Sequence, residues 1–583
     1  MKRLVKYIAL VCVAVGMVSC VQDLNTKPID PNSSTSFNQD RMFTKCYACM
    51  AVIGQSSPND NSDVEDIDAG MSGFYRTIWY CNDLTTDEAY WIWDDAETKG
   101  LPTTDWTGSS DMIKGIYTRL NLNIKYCNHY MTYATTDTDE DKYRMAEVRW
   151  IRAFHYYFLM DMFLYAPHVT EESSEFPHFI PRHELYSWLV SELNDLIVEL
   201  PANRLSKYRV GKAAAQLLLA GIYLNADVYN KYNPNWTSNV TWNKAINMAT
   251  NAINDNPQHS LVTTPITTDS GYVYSAYQQL FMGDNHRDEV IKEAVFQIYQ
   301  DGLYTQSHAG ANFLVAGPRY AGMTAWGIEA EWHALRTSPT LIDKFLKIKK
   351  MDRNTANEII CDEYVMPTKI GDDRAIFCSE GKNTPKARDF TLKGGMGLNS
   401  EDYFYNSWAG TKFTGVYSTA SMPKYSPRQS KDWADTDIPM MRIAEAYLIR
   451  AEAKARKSGN WNDALADVNI IRDRANATPL AKMEEEDMLE EWSREFWFEG
   501  RRRMDLVRFG RYFGPEADQY RYQWEARMGK DDGVQFFVSG TPEYMNWFPV
   551  PSEDKRSNPN FKTDVEEAAG NKFAAQGGDG YAY

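Results

Sequence analysis

Two tryptophans, Trp91 and Trp93, stand two residues apart in a segment bounded by Asp87, Glu88, Asp94 and Asp95. An indole face packs well on the apolar C–H face of a sugar ring. On an extended loop, residues two apart project to the same side, so the pair predicts a stacking platform. Its rival is ordinary packing beneath a loop. Oxygen-rich side chains suggest a second chemistry. Asp435 and Asp437, with Asp284 and Asn285 far upstream, supply the ligand types of a structural Ca²⁺ if the fold brings them together; in so acidic a chain they also read as solvated surface. Cys46 and Cys49 have redox or metal spacing. They fall in a predicted helix without a second pair or a histidine cluster, which favours small buried residues.

Catalytic patterns are missing from the sequence. A glycosidase needs two carboxylates about 5 to 10 Å apart, but among 79 acidic residues such a pair carries no signal. There is no HExxH helix and no G-x-S-x-G elbow. Gly211-Lys212-Ala213 lacks the remaining residues of a phosphate loop. The nine histidines are scattered, and His155, in a helix dense in aromatics, reads as a packing residue. A binding protein that requires no cofactor is the expectation.

Helices must position these candidates. Ile443, Ala444, Tyr447, Leu448, Ala451 and Ala455 recur at helical spacing, and Ser458-Gly459-Asn460 breaks the run. Asn460 and Asp463 read as a capping box. Trp461, Leu465, Val468 and Ile471 mark the next helix. Leu489, Trp492, Phe496 and Trp497 face inward in a third, with Arg501, Arg502 and Arg503 expected largely outside. Upstream, helices are predicted over 40–54, 110–132, 147–165 (stopped by Pro167), 185–200, 212–229 and 242–254. These count as three helical pairs before residue 255 and one after 437. Residues 256–435 carry weaker periodicity and more Gly, Pro, Thr and Tyr, with 295–299 alternating like a strand. The fold class is therefore mainly α: a tetratricopeptide-like helical-repeat scaffold with a long, irregular, loop-rich insertion containing minor β structure.

At the N-terminus, Lys2, Arg3 and Lys6 precede an apolar run from Tyr7 to Val18. That is a secretory signal rather than a span, which needs about 20 apolar residues. Met17-Val18-Ser19-Cys20 is a lipobox, so Cys20 is the expected lipidation site. Residues 1–19 are then the signal, 20–37 the lipidated cysteine and tether, 38–255 the N-terminal helical region, and 256–583 a C-terminal region integrated with it. A net charge of −17 argues against nucleic acid. Seventeen tryptophans and 36 tyrosines are expected largely in the core of a helical fold with large side chains, with some available for exposed platforms.

Three motifs resemble the SusD/RagB family of outer-membrane lipoproteins from Bacteroidetes. They are residues 441–448 with 451–453 (MRIAEAYL, AEA), residues 494–502 with 505–510 (REFWFEGRR, DLVRFG), and residues 548–551 with 558–560 (FPVP, NPN). Residues 149–157 resemble the family's N-terminal half. The resemblance implies nutrient binding at the cell surface above a SusC-like TonB-dependent transporter, with an oligosaccharide or polysaccharide as cargo. It implies that glycan packs on Trp91 and Trp93 after Thr86-Asp87-Glu88-Ala89. It also places Asp68 and Arg76 as a polar pair toward sugar hydroxyls, with Tyr304 and Trp326 as aromatic candidates across the site. Two alternatives stay open: a RagB-like peptide binder, and a scaffold that binds only proteins.

Overall fold

The computed structural model describes residues 36–54, 62–91, 93, 98, 101, 106–269, 271–319, 327–349, 370–378, 409–419, 431–514 and 543–567. Its scaffold helices are α1 (Gln39–Ala51), α2 (Phe74–Trp79), α3 (Asp111–Tyr133), α4 (Asp139–Met162), α5 (Arg182–Glu199), α6 (Lys212–Leu224), α7 (Trp242–Asn254), α8 (Ile443–Ser458), α9 (Leu465–Arg474), α10 (Glu485–Phe496) and α11 (Arg502–Arg508); a further helix, Pro339–Lys349, lies in the insertion, with shorter turns elsewhere. Four strands matter for the site: β1 (Ala89–Trp91), β2 (Ala294–Ile298), β3 (Leu335–Thr337) and β4 (Ile438–Arg442). The mainly α, helical-repeat class expected from periodicity is the fold observed.

Pairing within the scaffold differs from the simple count. Sequential helices α3 and α4 pack together, as do α5 and α6, while α7 packs both on its sequence neighbour α6 and, across the whole insertion, on α8. Small residues make this fit: Ala245, Ala249 and Ala252 on α7, and Ala444, Ala451 and Ala455 on α8, are all buried. The insertion thus separates in sequence two helices, α7 and α8, that pack together in the fold. Helix α4 begins earlier than periodicity suggested, because Thr138 and Asp141 form a capping box. It ends at Met162, five residues before Pro167. Asn460 caps a 3₁₀ turn, Trp461–Ala464, through a 3.1 Å bond from the Asn462 amide.

The arginines after α10 are not outside. Arg502 and Arg503 are each 1 % exposed, since both are claimed by acidic or amide groups from residues 82–88. Arg502 donates to both oxygens of Asp87 (2.8 and 3.0 Å), and Arg503 to Asn82 Oδ1 (2.9 Å). Asp83 accepts from the amides of Gly500 (2.8 Å), Arg501 and Arg502. Gly500 adopts φ +76°, a conformation in which a side chain is strained. Ser493 donates to Glu88 (2.6 Å), and Lys344 to Asp87 (2.8 Å). Asp87 needs this company: a buried carboxylate is stable only when paired.

A second buried ionic cluster ties the insertion to α9 and α10. Arg442, at the end of β4, donates to Glu293 (2.9 Å), Glu495 (2.9 Å) and Glu499 (2.7 Å). Arg474 reaches Glu293 and Glu495, and Arg374 reaches Glu491 (2.7 Å). Strand β2 lies antiparallel to β4 and is buried on both faces, so the alternation seen in the sequence does not divide it into inside and outside.

Candidate functional site

The first of these clusters fixes residues 82–88, and β1 follows directly. It pairs antiparallel with β3 in the register Ala89↔Thr337, Tyr90↔Arg336, Trp91↔Leu335. The ribbon carries Trp93 just past one strand and Trp332 just before the other. Trp93 Nε1 donates to the Trp332 carbonyl at 2.7 Å. Their rings lie 6.0 Å apart at 35°.

Trp91 and Trp93 do not share one face. Trp91 is 2 % exposed and meets Trp93 edge-on at 5.4 Å and 80°, whereas Trp93 is 39 % exposed. The extended geometry needed for a common side ends at Trp91, and Trp93 sits in a bend. Trp91 belongs to the floor and Trp93 to the surface.

Arg76, on α2, is 6 % exposed and enclosed by rings. Its guanidinium lies 5.4 Å from the Trp91 centroid, 5.3 Å from Trp332, 5.2 Å from Tyr80 and 5.7 Å from Phe313. Its Nε donates to the Tyr80 hydroxyl at 2.7 Å. Neither Nη atom has an acceptor among the described residues. Cation–π contact stabilises the charge here, where water is scarce. Asp68 is exposed and accepts from the Gly70 amide at 2.7 Å, capping its own turn. Gly70 is where the two approach: a Cβ there would lie 2.6 Å from Arg76 Nη1 and 3.0 Å from Asp68 Oδ1. A donor-bearing guanidinium and an acceptor carboxylate thus both lie close to Gly70, a combination of the kind a hydroxyl can accept from and donate to.

Tyr304 is 84 % exposed, on the loop that also carries His308. Trp326 lies outside the described residues, as does Cys20. Sequence reasoning missed Trp332, Phe313 and Tyr80, and no local spacing marks them; only the β1–β3 register brings Trp332 to Trp93.

The carboxylates considered for calcium are taken up by the protein itself. Asp437 accepts from the Gln300 amide (2.7 Å) and Gln297 Nε2 (2.8 Å), and burial pushes its carboxyl up to about 8. Asp435 accepts from the Gly302 amide and the Tyr417 hydroxyl, both at 2.8 Å. Asp284 accepts from the Ser418 amide (3.0 Å) and hydroxyl (2.8 Å). Asn285 exchanges bonds with the Asp437 backbone. These oxygens are engaged by protein donors, and among the described residues no three His, Cys, Asp or Glu side chains are grouped to hold a metal. Cys46 and Cys49 are buried free thiols.

Comparison with known proteins adds a second line. The SusD family model matches residues 326–564. The chain is 32 % identical to the starch-binding protein SusD of Bacteroides thetaiotaomicron, over 96 % of this chain and 98 % of that one. Among solved structures, a SusD superfamily protein from Bacteroides vulgatus superposes with a TM-score of 0.60 at 16 % identity, covering 90 % of this chain and 97 % of that one. A surface glycan-binding protein A from Bacteroides fluxus does so with 0.59 at 17 %, covering 90 % and 98 %. A chain solved with a xylogluco-oligosaccharide gives 0.61 at 15 %, covering 84 % and 96 %. With identity at this level running nearly end to end, and with the helical scaffold in common, the chain belongs to the SusD family.

Proposed function

We propose that the protein binds carbohydrate without transforming it, using Trp93 and Trp332 as the stacking surface and Arg76 with Asp68 as the polar contacts. The observation that carries this reading is a buried guanidinium, held among four rings, beside an exposed tryptophan face. Sugars ask for that mixture of apolar face and hydroxyl partners. The starch-binding relative makes an α-glucan the first ligand to try. A peptide would be held mainly by backbone hydrogen bonds along a strand edge, and the exposed aromatic surface favours sugar over it. Cys20 is proposed as the lipid anchor to the outer membrane, facing outward, with a SusC-like TonB-dependent transporter receiving the cargo. Among the described residues no helix is long and apolar enough to cross a membrane.

The test is affinity electrophoresis of the purified protein through gels containing starch, xyloglucan or other plant, microbial and host polysaccharides. Retardation by a glycan that Trp93→Ala abolishes supports both ligand class and site. Retardation that survives Trp93→Ala and Trp332→Ala moves the site. No retardation by any glycan overturns the reading.

A further inference from the structure

The ring contacts continue beyond Trp332. His308 lies 6.0 Å from Trp332 and 5.2 Å from Trp433, and all three rings are partly exposed. Trp433 is held from both sides of its own backbone. Asn312 Nδ2 donates to the Asp432 carbonyl (3.0 Å), and the Ala434 amide donates to Asn312 Oδ1 (3.1 Å). Asn312 begins the short helix Asn312–Ala316, whose Phe313 ring backs Arg76. One support therefore holds both Trp433 and the arginine of the candidate site. Burial, and then the charge of Arg76, lower the His308 pKa, with Asp68 opposing them. That shift favours the neutral imidazole, an aromatic ring that can be stacked upon. Lys431 and Asp432 are exposed beside Trp433, and Lys431 pairs with Glu329 at 3.2 Å.

We propose that His308 and Trp433 form a further subsite, which takes sugar units beyond those on Trp93 and Trp332 and so favours longer glycan chains over short ones. This deepens the carbohydrate reading and rests on it. Three contiguous steps between rings make a track rather than a single platform, and adjacent units of one chain would bind with the second contact made intramolecularly. A tryptophan already pinned at the surface also loses little further freedom when a ligand settles on it.

The experiment titrates the purified full chain, Trp433→Ala and His308→Ala by calorimetry. The probes are maltotriose, a long maltodextrin, and short and long xyloglucan oligosaccharides. Thermal melting of each variant checks folding. For the glycan that wild type binds, Trp433→Ala should weaken the long probe about tenfold and leave the short one within about twofold. His308→Ala should show the same selectivity to a smaller extent, and serves alone if Trp433→Ala fails to fold. Equal weakening of both lengths, or of neither, overturns the extended track while wild-type binding leaves the carbohydrate reading intact. Wild type that binds none of these probes, nor any polysaccharide in the gels, overturns both.

Discussion

Gly70→Ala should weaken glycan binding by acting on Arg76 from beneath. The glycine is buried, and its added Cβ would sit 2.6 Å from Nη1 and 2.9 Å from Cζ of Arg76. Ordinary contact begins near 3.5 Å, so the guanidinium must retreat by roughly half to one ångström. It has little room to do so. Trp91, Trp332, Tyr80 and Phe313 surround it, and its Nε is bonded to the Tyr80 hydroxyl. The Cβ would also press on Asp68 Oδ1, so both polar partners lose their aim at a shared hydroxyl. One charge-assisted hydrogen bond contributes about 1.5–3 kcal/mol, which converts to about a ten- to hundredfold loss of affinity. Gly70 has no positive φ that would strain an alanine, so the stability cost comes only from crowding, about 1–3 kcal/mol. Calorimetric titration with the glycan identified in the gels measures the first quantity, and denaturant unfolding the second. A double-mutant cycle with Arg76→Ala supplies the control, because Gly70→Ala should then cost only the smaller part that acts through Asp68. Unchanged affinity in Gly70→Ala, or a full additional loss in the Arg76→Ala background, would refute the assignment of Arg76.

The remaining expectations divide surface from support. Trp93→Ala should cost about tenfold in affinity with little change in melting temperature, whereas Trp91→Ala should cost about 3–5 kcal/mol of stability, as buried tryptophans do; equal stability losses would contradict their different burial. Glu495→Gln should destabilise the fold by about 3–5 kcal/mol, because Arg442 and Arg474 keep their charges in a buried place, and urea midpoints will read this out. Stability should also fall in acid. Burial raises the Glu491 and Glu495 carboxyls, but the surrounding arginines outweigh it and hold both below the usual range. Groups lowered in the folded state contribute stability that is complete above the unfolded carboxylate pKa, about 4, and is lost as pH falls through the folded values. An unfolding free energy flat from pH 6 to well below about 4 would speak against it. Gly500→Ala should lower the melting temperature, since φ +76° costs an alanine about 1–2 kcal/mol.

What was legible in the sequence follows physical range. Helices α7 and α8 carry their alanine stripes in local spacing, so their buried faces could be read directly. Their mutual partnership could not, because the insertion separates them. Trp93 was legible as a candidate, but its partner was not: Trp332 reaches it through a strand register set by Asp87, Glu88 and their distant clamps. Trp91 was misplaced for the same reason, since pairing with Leu335 turns it inward where an isolated loop would have left it beside Trp93. Arg502 and Arg503 looked solvent-facing because arginine usually is. Only carboxylates hundreds of residues away, Asp87 for Arg502 and Asp161 for Arg503, stabilise them inside.

This arrangement separates what identifies the family from what would choose a ligand. Residues 494–502 form no binding surface: Glu495 and Glu499 hold Arg442, Arg502 holds Asp87, and the Gly500 amide holds Asp83. Their chemistry is consumed in joining the end of the chain to residues 82–88, and it leaves β1 aimed at the site. Apart from Arg76 on α2, the candidate ligand contacts sit at the free ends of that frame, on the turn before α2, the bend after β1, and the insertion loops carrying His308, Trp332 and Trp433. Side chains there can change without breaking a buried ion pair. Strong motif agreement in 494–510 therefore reports that the frame is built, whereas ligand preference must be sought in residues with no motif at all. Exchanging His308 and Trp433 should alter chain-length preference while melting temperature stays nearly fixed, and exchanging Arg502 should do the reverse.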